Sequence, residues 1–324
     1  TISETLPNGT VVESPATFQP TVEGGFALMI NGLPAALGDP IDPIVPVDPS
    51  EPVDPFVPDP NGVTHPDLTG DVLTSPGLPT RPTTLPETEA NPGAVVAGTA
   101  ADETLLGTAA DDTLNGGLGN DSHEGGAGND IFENNAGTDT FNGGAGTDIY
   151  QITSDLDFNI DLAAGTDNFG NTLIDIEGVF ADDGDDTVSG SAGNNVLVGG
   201  AGDDLLIGLA GEDVLLGGEG DDTHQGGADD DIIIANAGVN VYDGGAGDDA
   251  IIINNSLVQD SAFYINLQNG TDQFGNSYAG IENIDGGNGD DVFLGDDQAN
   301  VLIGRGGFDA LEGGAGGDVL NGGE

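Results

Sequence analysis

The sequence predicts an all-β chain: a right-handed parallel β-roll or β-helix solenoid built in consecutive blocks, preceded by an extended Pro-rich acidic linker. Three observations predict it. A nine-residue period runs from Gly98 to the last residues, every proline lies between Pro7 and Pro92, and 58 acidic residues stand against 2 basic ones.

The formal net charge of −56, with Arg81 and Arg305 as the basic residues, leaves no cationic surface for nucleic acid. Anionic membrane surfaces are excluded for the same reason. Self-repulsion on this scale disfavours compaction unless cations neutralise it, so positively charged partners, metal ions first, are expected. Aromatic content of 5% and the absence of tryptophan argue against a large conventional core. Such a composition ordinarily signals disorder, and the repeats must overcome that reading. Cysteine is absent, which removes any disulfide or thiolate-metal framework. No apolar run reaches the roughly 18–20 residues of a transmembrane segment. The chain starts at Thr1 and stops at Gly322-Gly323-Glu324, which reads as the opening of another repeat. It is therefore read as a fragment of a longer polypeptide, so missing targeting signals carry no weight.

Segment 1–38 is poorly defined; TVVESPATF and GFALMING suit a few short strands. In 39–97, Pro40, Pro43, Pro46, Pro49, Pro52, Pro55 and Pro58 recur every third residue, the period of a polyproline II helix. At about 3.1 Å per residue, segment 39–60 spans roughly 70 Å. A semi-rigid acidic spacer fits better than a peptide recognised by a proline-binding domain.

The nonapeptides then form three blocks: six units in 98–151, eight in 181–252, and four in 286–324, the last block being truncated. No register slip occurs inside any block, which a disordered tract has no reason to achieve. The interruptions 152–180 and 253–285 resemble each other: FNIDLAAGTDNFGNTLIDIEGVF aligns without gaps to FYINLQNGTDQFGNSYAGIENID. Alternation such as Phe263-Tyr264-Ile265-Asn266-Leu267 predicts strands, read as a pair that caps one roll and starts the next.

Each unit divides into a six-residue turn and a three-residue strand. Glycine at the first, second and fourth places permits positive φ and close backbone approach. The eighth place is apolar in sixteen units, from Leu105 and Leu114 to Leu311 and Leu320, which predicts one inward side chain per strand. Two units then complete one solenoid turn, with bends along both edges. The sixth place is Asp in fourteen of eighteen units. Units two apart stack about 4.8 Å from each other, which sets Asp112 beside Asp130, Asp121 beside Asp139, and Asp204 beside Asp222. Bare carboxylates so placed repel, and a hard dication between them reverses the sign. Calcium accepts six to eight carboxylate and carbonyl oxygens in flexible geometry, whereas magnesium holds a tight octahedron and its water. Zinc and copper prefer histidine or thiolate, which the turns lack.

GGLGND, GGAGND, GGAGDD and GGNGDD resemble the hemolysin-type calcium-binding nonapeptide of RTX (repeats-in-toxin) proteins. The resemblance covers about half the chain. It implies a parallel β-roll with calcium in its edge turns, and a type I secretion apparatus as partner. It further implies secretion from a Gram-negative bacterium, to the medium or the cell surface, with folding in extracellular calcium. The family's aspartate ligand maps onto Asp112, Asp121, Asp130, Asp139, Asp148, Asp186, Asp204, Asp213, Asp222, Asp231, Asp249, Asp291, Asp309 and Asp318. Its turn glycines map onto Gly116, Gly117, Gly119, Gly125, Gly126, Gly128, Gly143, Gly144, Gly146, Gly199, Gly200, Gly202, Gly211, Gly217, Gly218 and Gly220. They continue onto Gly244, Gly245, Gly247, Gly286, Gly287, Gly289, Gly313, Gly314 and Gly316. Roughly ten calcium ions are expected.

Departures are informative. Ala101 and Ala110 stand where the fourth glycine belongs, and Glu103, Asn195, Asn240 and Asn300 replace the sixth-place Asp, weakening or emptying those sites. His123 and His224 occupy the inward eighth place and read as packed core residues. GTDNFGN and GTDQFGN are not counted as cation sites. No catalytic constellation appears: no H-E-x-x-H, no G-x-S-x-G, and no lysine for a phosphate loop. The module is expected to be non-catalytic by itself. Three settings remain open: a calcium-dependent folding and secretion module, a calcium-stiffened segment of a surface adhesin or surface-layer-like protein, and an accessory module of a secreted hydrolase or epimerase.

Overall fold

The computed structural model describes residues 93–253 and 262–323, together with five short strands nearer the N-terminus. Segment 39–92 of the Pro-rich linker and segment 254–261 of the second interruption lie outside the described residues. The chain divides into two units, Thr1–Val53 and Asp54–Glu324. In the first, Ile2–Thr5 pairs antiparallel with Val11–Ser14, and Ala16–Pro20, Phe26–Ile30 and Leu33–Pro34 form a second small antiparallel sheet.

The second unit is an all-β parallel solenoid of two facing sheets, without helix among the described residues. One sheet stacks twelve parallel strands from Val95–Ala97 to Val319–Asn321, one per turn. The other stacks fifteen, running from Thr104–Leu106 to Ala310–Glu312. Successive nonapeptide strands alternate between the sheets, so residues eighteen apart pair in register, as Phe141 does with His123. The solenoid opens slightly ahead of the predicted boundary: Val95–Ala97, placed in the linker on sequence, pairs with Thr113–Asn115.

The nine-residue period fixes the core. Leu114, Phe132, Phe141, Tyr150, Leu197, Leu206, Leu215, Ile233, Tyr242, Ile251, Phe293 and Leu302 are all fully buried between the sheets. Only the end frays: Leu311 is half-buried, and Leu320, in the last described strand, is 47% exposed. On the other face of the twelve-stranded sheet, Val196, Val198, Val214, Leu216, Ile232 and Ile234 belong to a second buried apolar cluster.

The interruptions do not cap one roll and start another; both sheets run through them. In the first, Asn159–Asp161, Thr166–Asp167 and Thr172–Ile174 form an antiparallel zigzag inserted into the fifteen-stranded sheet. Its last strand pairs back to Thr140–Ala145 and its first pairs forward to Thr187–Ser189. Tyr264–Asn266, Thr271–Asp272 and Ser277–Ala279 repeat the arrangement in the second. Three short strands stand in place of one rung each time, and the stack stays continuous.

Candidate metal centre

The turns along both edges carry the sixth-place carboxylates, and stacking brings them together as their spacing predicts. Each carboxylate uses one oxygen in a ladder. Asp130 Oδ1 accepts the amide of Asp112 at 2.8 Å, Asp139 that of Asp121 at 2.8 Å, and Asp148 that of Asp130 at 2.7 Å. Further along, Asp186 donates to Asp204 Oδ1, Asp204 to Asp222, Asp213 to Asp231, Asp231 to Asp249, and Asp291 to Asp309, at 2.8–3.0 Å. Asn300 donates to Asp318 at 3.1 Å.

The second oxygen has a different fate. In Asp121, Asp130, Asp139, Asp148, Asp186, Asp204, Asp249, Asp291 and Asp309, Oδ2 is buried without a hydrogen-bond partner. A buried anionic oxygen left unpaired is costly. Burial, aided by neighbouring carboxylates, pushes Asp148, Asp186, Asp204 and Asp249 up to about 7, and Asp130 and Asp291 up to about 6. Side chains cannot neutralise this charge, because the chain has two basic residues and one of them, Arg305, is paired with Asp285.

The orphaned oxygens of Asp130, Asp148, Asp204 and Asp249 each border a carbonyl-lined cradle. A Cβ added at Gly125 would fall on Asp130 Oδ2 and lie 2.8 Å from the Gly143 carbonyl oxygen. Gly199 relates in the same way to Asp204 Oδ2 and to the Gly217 carbonyl one turn on. Of the two reasons the sequence offers for them, the first-place glycines, including Gly116, Gly143, Gly217 and Gly244, serve close approach and do not adopt positive φ. Positive φ belongs to the second and fourth places, such as Gly117 (90°), Gly119 (122°), Gly200 (113°), Gly202 (135°) and Gly314 (88°). Gly247, Gly286, Gly287 and Gly289 do not adopt it, and neither do Ala101 and Ala110.

Among the described residues, no three His, Asp or Glu side chains converge on one point. A cation here must draw on backbone carbonyls as well as carboxylates, which is calcium's oxygen chemistry. The histidines are elsewhere. His123 is fully buried and stacked on Phe141 at 4.5 Å, and His224 is fully buried against Tyr242 at 5.0 Å.

Four ladder residues escaped the sequence reading. Across the first interruption, Asn171 Oδ1 receives the Asp139 amide at 2.8 Å, and Glu177 Oε2 receives that of Asp148 at 2.9 Å. Asn276 and Glu282 do the same for Asn240 and Asp249 in the second, at 2.6 and 3.0 Å. The carbonyls of Asp175 and Gly280, both at positive φ, face Gly143 and Gly244 as the next glycine carbonyl does elsewhere. The gapless alignment of the two interruptions held the signal, since Asn171 and Asn276, and Glu177 and Glu282, are matched pairs.

Four turns close on themselves. Where the second place is Thr99, Thr108, Ser191 or Asp296, its amide donates to the sixth-place Glu103, Asp112, Asn195 or Asn300. Asp112 joins this set although it keeps the consensus carboxylate. In the interruptions, Asp167 and Asp272 are saturated internally: Asp167 accepts from Phe169 and Asn171 amides, Tyr150 Oη and Asn171 Nδ2 at 2.8–3.0 Å. Such a carboxylate needs no cation.

A sequence profile of the RTX calcium-binding nonapeptide repeat (four copies) matches residues 97–132, 124–150, 180–215, 216–251, 277–311 and 294–324, together more than half of the chain. No curated protein matches it.

Proposed function

Because the chain belongs to the family of RTX calcium-binding nonapeptide repeat proteins, a non-catalytic repeat type, we propose that its solenoid is a module that folds when calcium fills the open turns. The observation that carries this reading is the row of buried Oδ2 atoms without partners on a chain almost devoid of basic residues. Asp121, Asp130, Asp139, Asp148, Asp186, Asp204, Asp249, Asp291 and Asp309 supply the carboxylate ligands, joined by Asp213 and Asp231 in equivalent places. Glycine-turn carbonyls complete each shell, and Glu177 and Glu282 carry the ladder across the interruptions.

At ~1 mM calcium and a Kd of ~0.1–1 mM, each site contributes roughly 0.4–1.4 kcal/mol. In a cytosol with far less calcium that contribution vanishes while the repulsion remains. The metal-free module is therefore only marginally stable where it is made and completes its folding outside the cell, consistent with type I export to the medium or surface of a Gram-negative bacterium. A second reading, a calcium-stiffened structural segment, is favoured by the two sheets running unbroken through both interruptions.

Calcium titration of the purified chain, followed by calorimetry and circular dichroism, tests the reading. Saturable uptake with a gain of β structure over the chelated chain is expected. Equal structure in chelator and millimolar calcium, with no saturable heat, overturns it.

A further inference from the structure

Besides the closed Asp112 turn, one rung departs from the rest in a way its sixth-place residue does not announce. Asp222 keeps the consensus carboxylate and its place in the ladder, accepting the Asp204 amide at 3.0 Å. Its Oδ2, unlike that of Asp204 one turn before, is not an orphan: it accepts from Asn236 Nδ2 at 2.8 Å. The same Nδ2 also donates to the Gly218 carbonyl. One carboxylate oxygen and one turn carbonyl are the acceptor types that border the open cradles elsewhere, and here an amide NH2 group satisfies both.

Asn236 is placed to do this because it stands at the second place of unit 235–243, where Gly200, Gly218 and Gly245 stand in neighbouring units. Its side chain is buried (5% exposed) and anchored. Asn236 Oδ1 accepts from Tyr242 Oη and from Asn240 Nδ2, each at 3.3 Å. The network continues without a cation: the Asn240 amide donates to Asn276 Oδ1 at 2.6 Å, Asn276 Nδ2 donates to Asp272 Oδ2 at 2.7 Å, and Tyr278 Oη donates to the same oxygen at 2.9 Å. Neutral donors thus link Asp222 to Asp272. On the opposite edge of the neighbouring unit, Asp249 keeps a buried, unpartnered Oδ2.

We infer that the Asp222 rung is built metal-free, with the Asn236 side-chain amide standing where calcium stands in the open turns. The inference rests on the calcium reading of those turns. It has a structural consequence: the cation column on this edge is divided, with Asp186 and Asp204 before the break and Asp291 and Asp309 after it. The divided stretch holds its shape by hydrogen bonds that exist before any calcium arrives. It is a preformed seam between segments that load separately.

The test is calcium stoichiometry of the full chain by equilibrium dialysis with labelled calcium, together with thermal melting in chelator. Two variants are compared with the wild type, Asn236→Gly, which restores the consensus glycine, and Asn236→Asp, which keeps the shape but removes the donors. Each is expected to bind about one more calcium per chain and to melt at a lower temperature than wild type in chelator. If the wild type takes up calcium and both variants show its stoichiometry and its metal-free melting temperature, the inference is overturned. If the wild type takes up none, the underlying calcium reading fails, and the inference with it.

Discussion

Asp130 Oδ1 accepts the Asp112 amide at 2.8 Å across one solenoid turn, while Oδ2 of the same carboxylate is buried with no partner. The two oxygens therefore do different work, and one substitution separates them. Asp130→Asn keeps an acceptor for the ladder and replaces the second oxygen with an NH2 donor. In calcium it is expected to lose about one bound ion and roughly 0.4–1.4 kcal/mol. In chelator it is expected to melt no lower than wild type, since a buried anion has been removed. Asp130→Ala, which also breaks the ladder, costs a further ~1–3 kcal/mol in both conditions. Equal behaviour of the two variants in chelator contradicts this division.

The pH response follows from the same oxygens. Asp148, Asp186, Asp204 and Asp249 are pushed up to about 7 chiefly by burial. A carboxyl whose pKa is raised on folding favours the metal-free fold below its unfolded value, near 4, and loses that contribution as pH climbs through about 7. His224 opposes it: burial lowers it to about 4, so its contribution is present above the ordinary histidine value and lost as pH falls towards 4. The carboxylates outnumber it. In chelator, the melting temperature is expected to fall between pH 5 and 8. In saturating calcium it should not fall, and calcium binding near pH 6 should release protons measurable by pH-stat titration. A metal-free melting temperature that rises over this range overturns the assignment.

Much of this architecture was legible because a fixed period leaves little freedom. Phe132 and Leu302 are 170 residues apart, yet the same eighth place buries both completely. The pairing of Asp204 with Asp222 followed from counting eighteen residues. What escaped is where counting fails. Asn171 and Glu177 meet their ladder partners at separations of 32 and 29 residues, because the inserted zigzag changes the spacing. Asn236 was not singled out, since its effect depends on a donor pair reaching two acceptors in the preceding turn. The first-place glycines were expected for both a backbone angle and close approach; the structure uses the second, and the carboxylate oxygen beside them shows why.

That distinction among glycines is testable. Gly125→Ala keeps an ordinary φ but drives a methyl group onto Asp130 Oδ2 and towards the Gly143 carbonyl. It is expected to cost ~1–3 kcal/mol in calcium and to abolish about one site. Gly193→Ala, also without positive φ, meets nothing nearer than Ser191 Oγ at 3.8 Å. Because it stiffens the unfolded chain, it is expected to be neutral or to stabilise by ~0.4–1 kcal/mol. Calorimetric melts with calcium counted by dialysis compare the pair; equal losses for both contradict the cradle.

Asp167 provides the complementary case, a buried carboxylate with nothing left to bind. Its Oδ1 takes the amides of Phe169 and Asn171, and its Oδ2 takes Tyr150 Oη and Asn171 Nδ2. Through Asn171 it positions the acceptor of the Asp139 amide, so its role is to lock the inserted zigzag to the ladder. Asp167→Ala leaves the Tyr150 hydroxyl and the Asn171 amide without this acceptor, a loss of ~2–4 kcal/mol. Because the carboxylate is not a ligand, that loss should appear equally in chelator and in calcium, with calcium stoichiometry unchanged. A variant that instead binds fewer ions, and loses stability only when calcium is present, shows that Asp167 belongs to the metal centre after all.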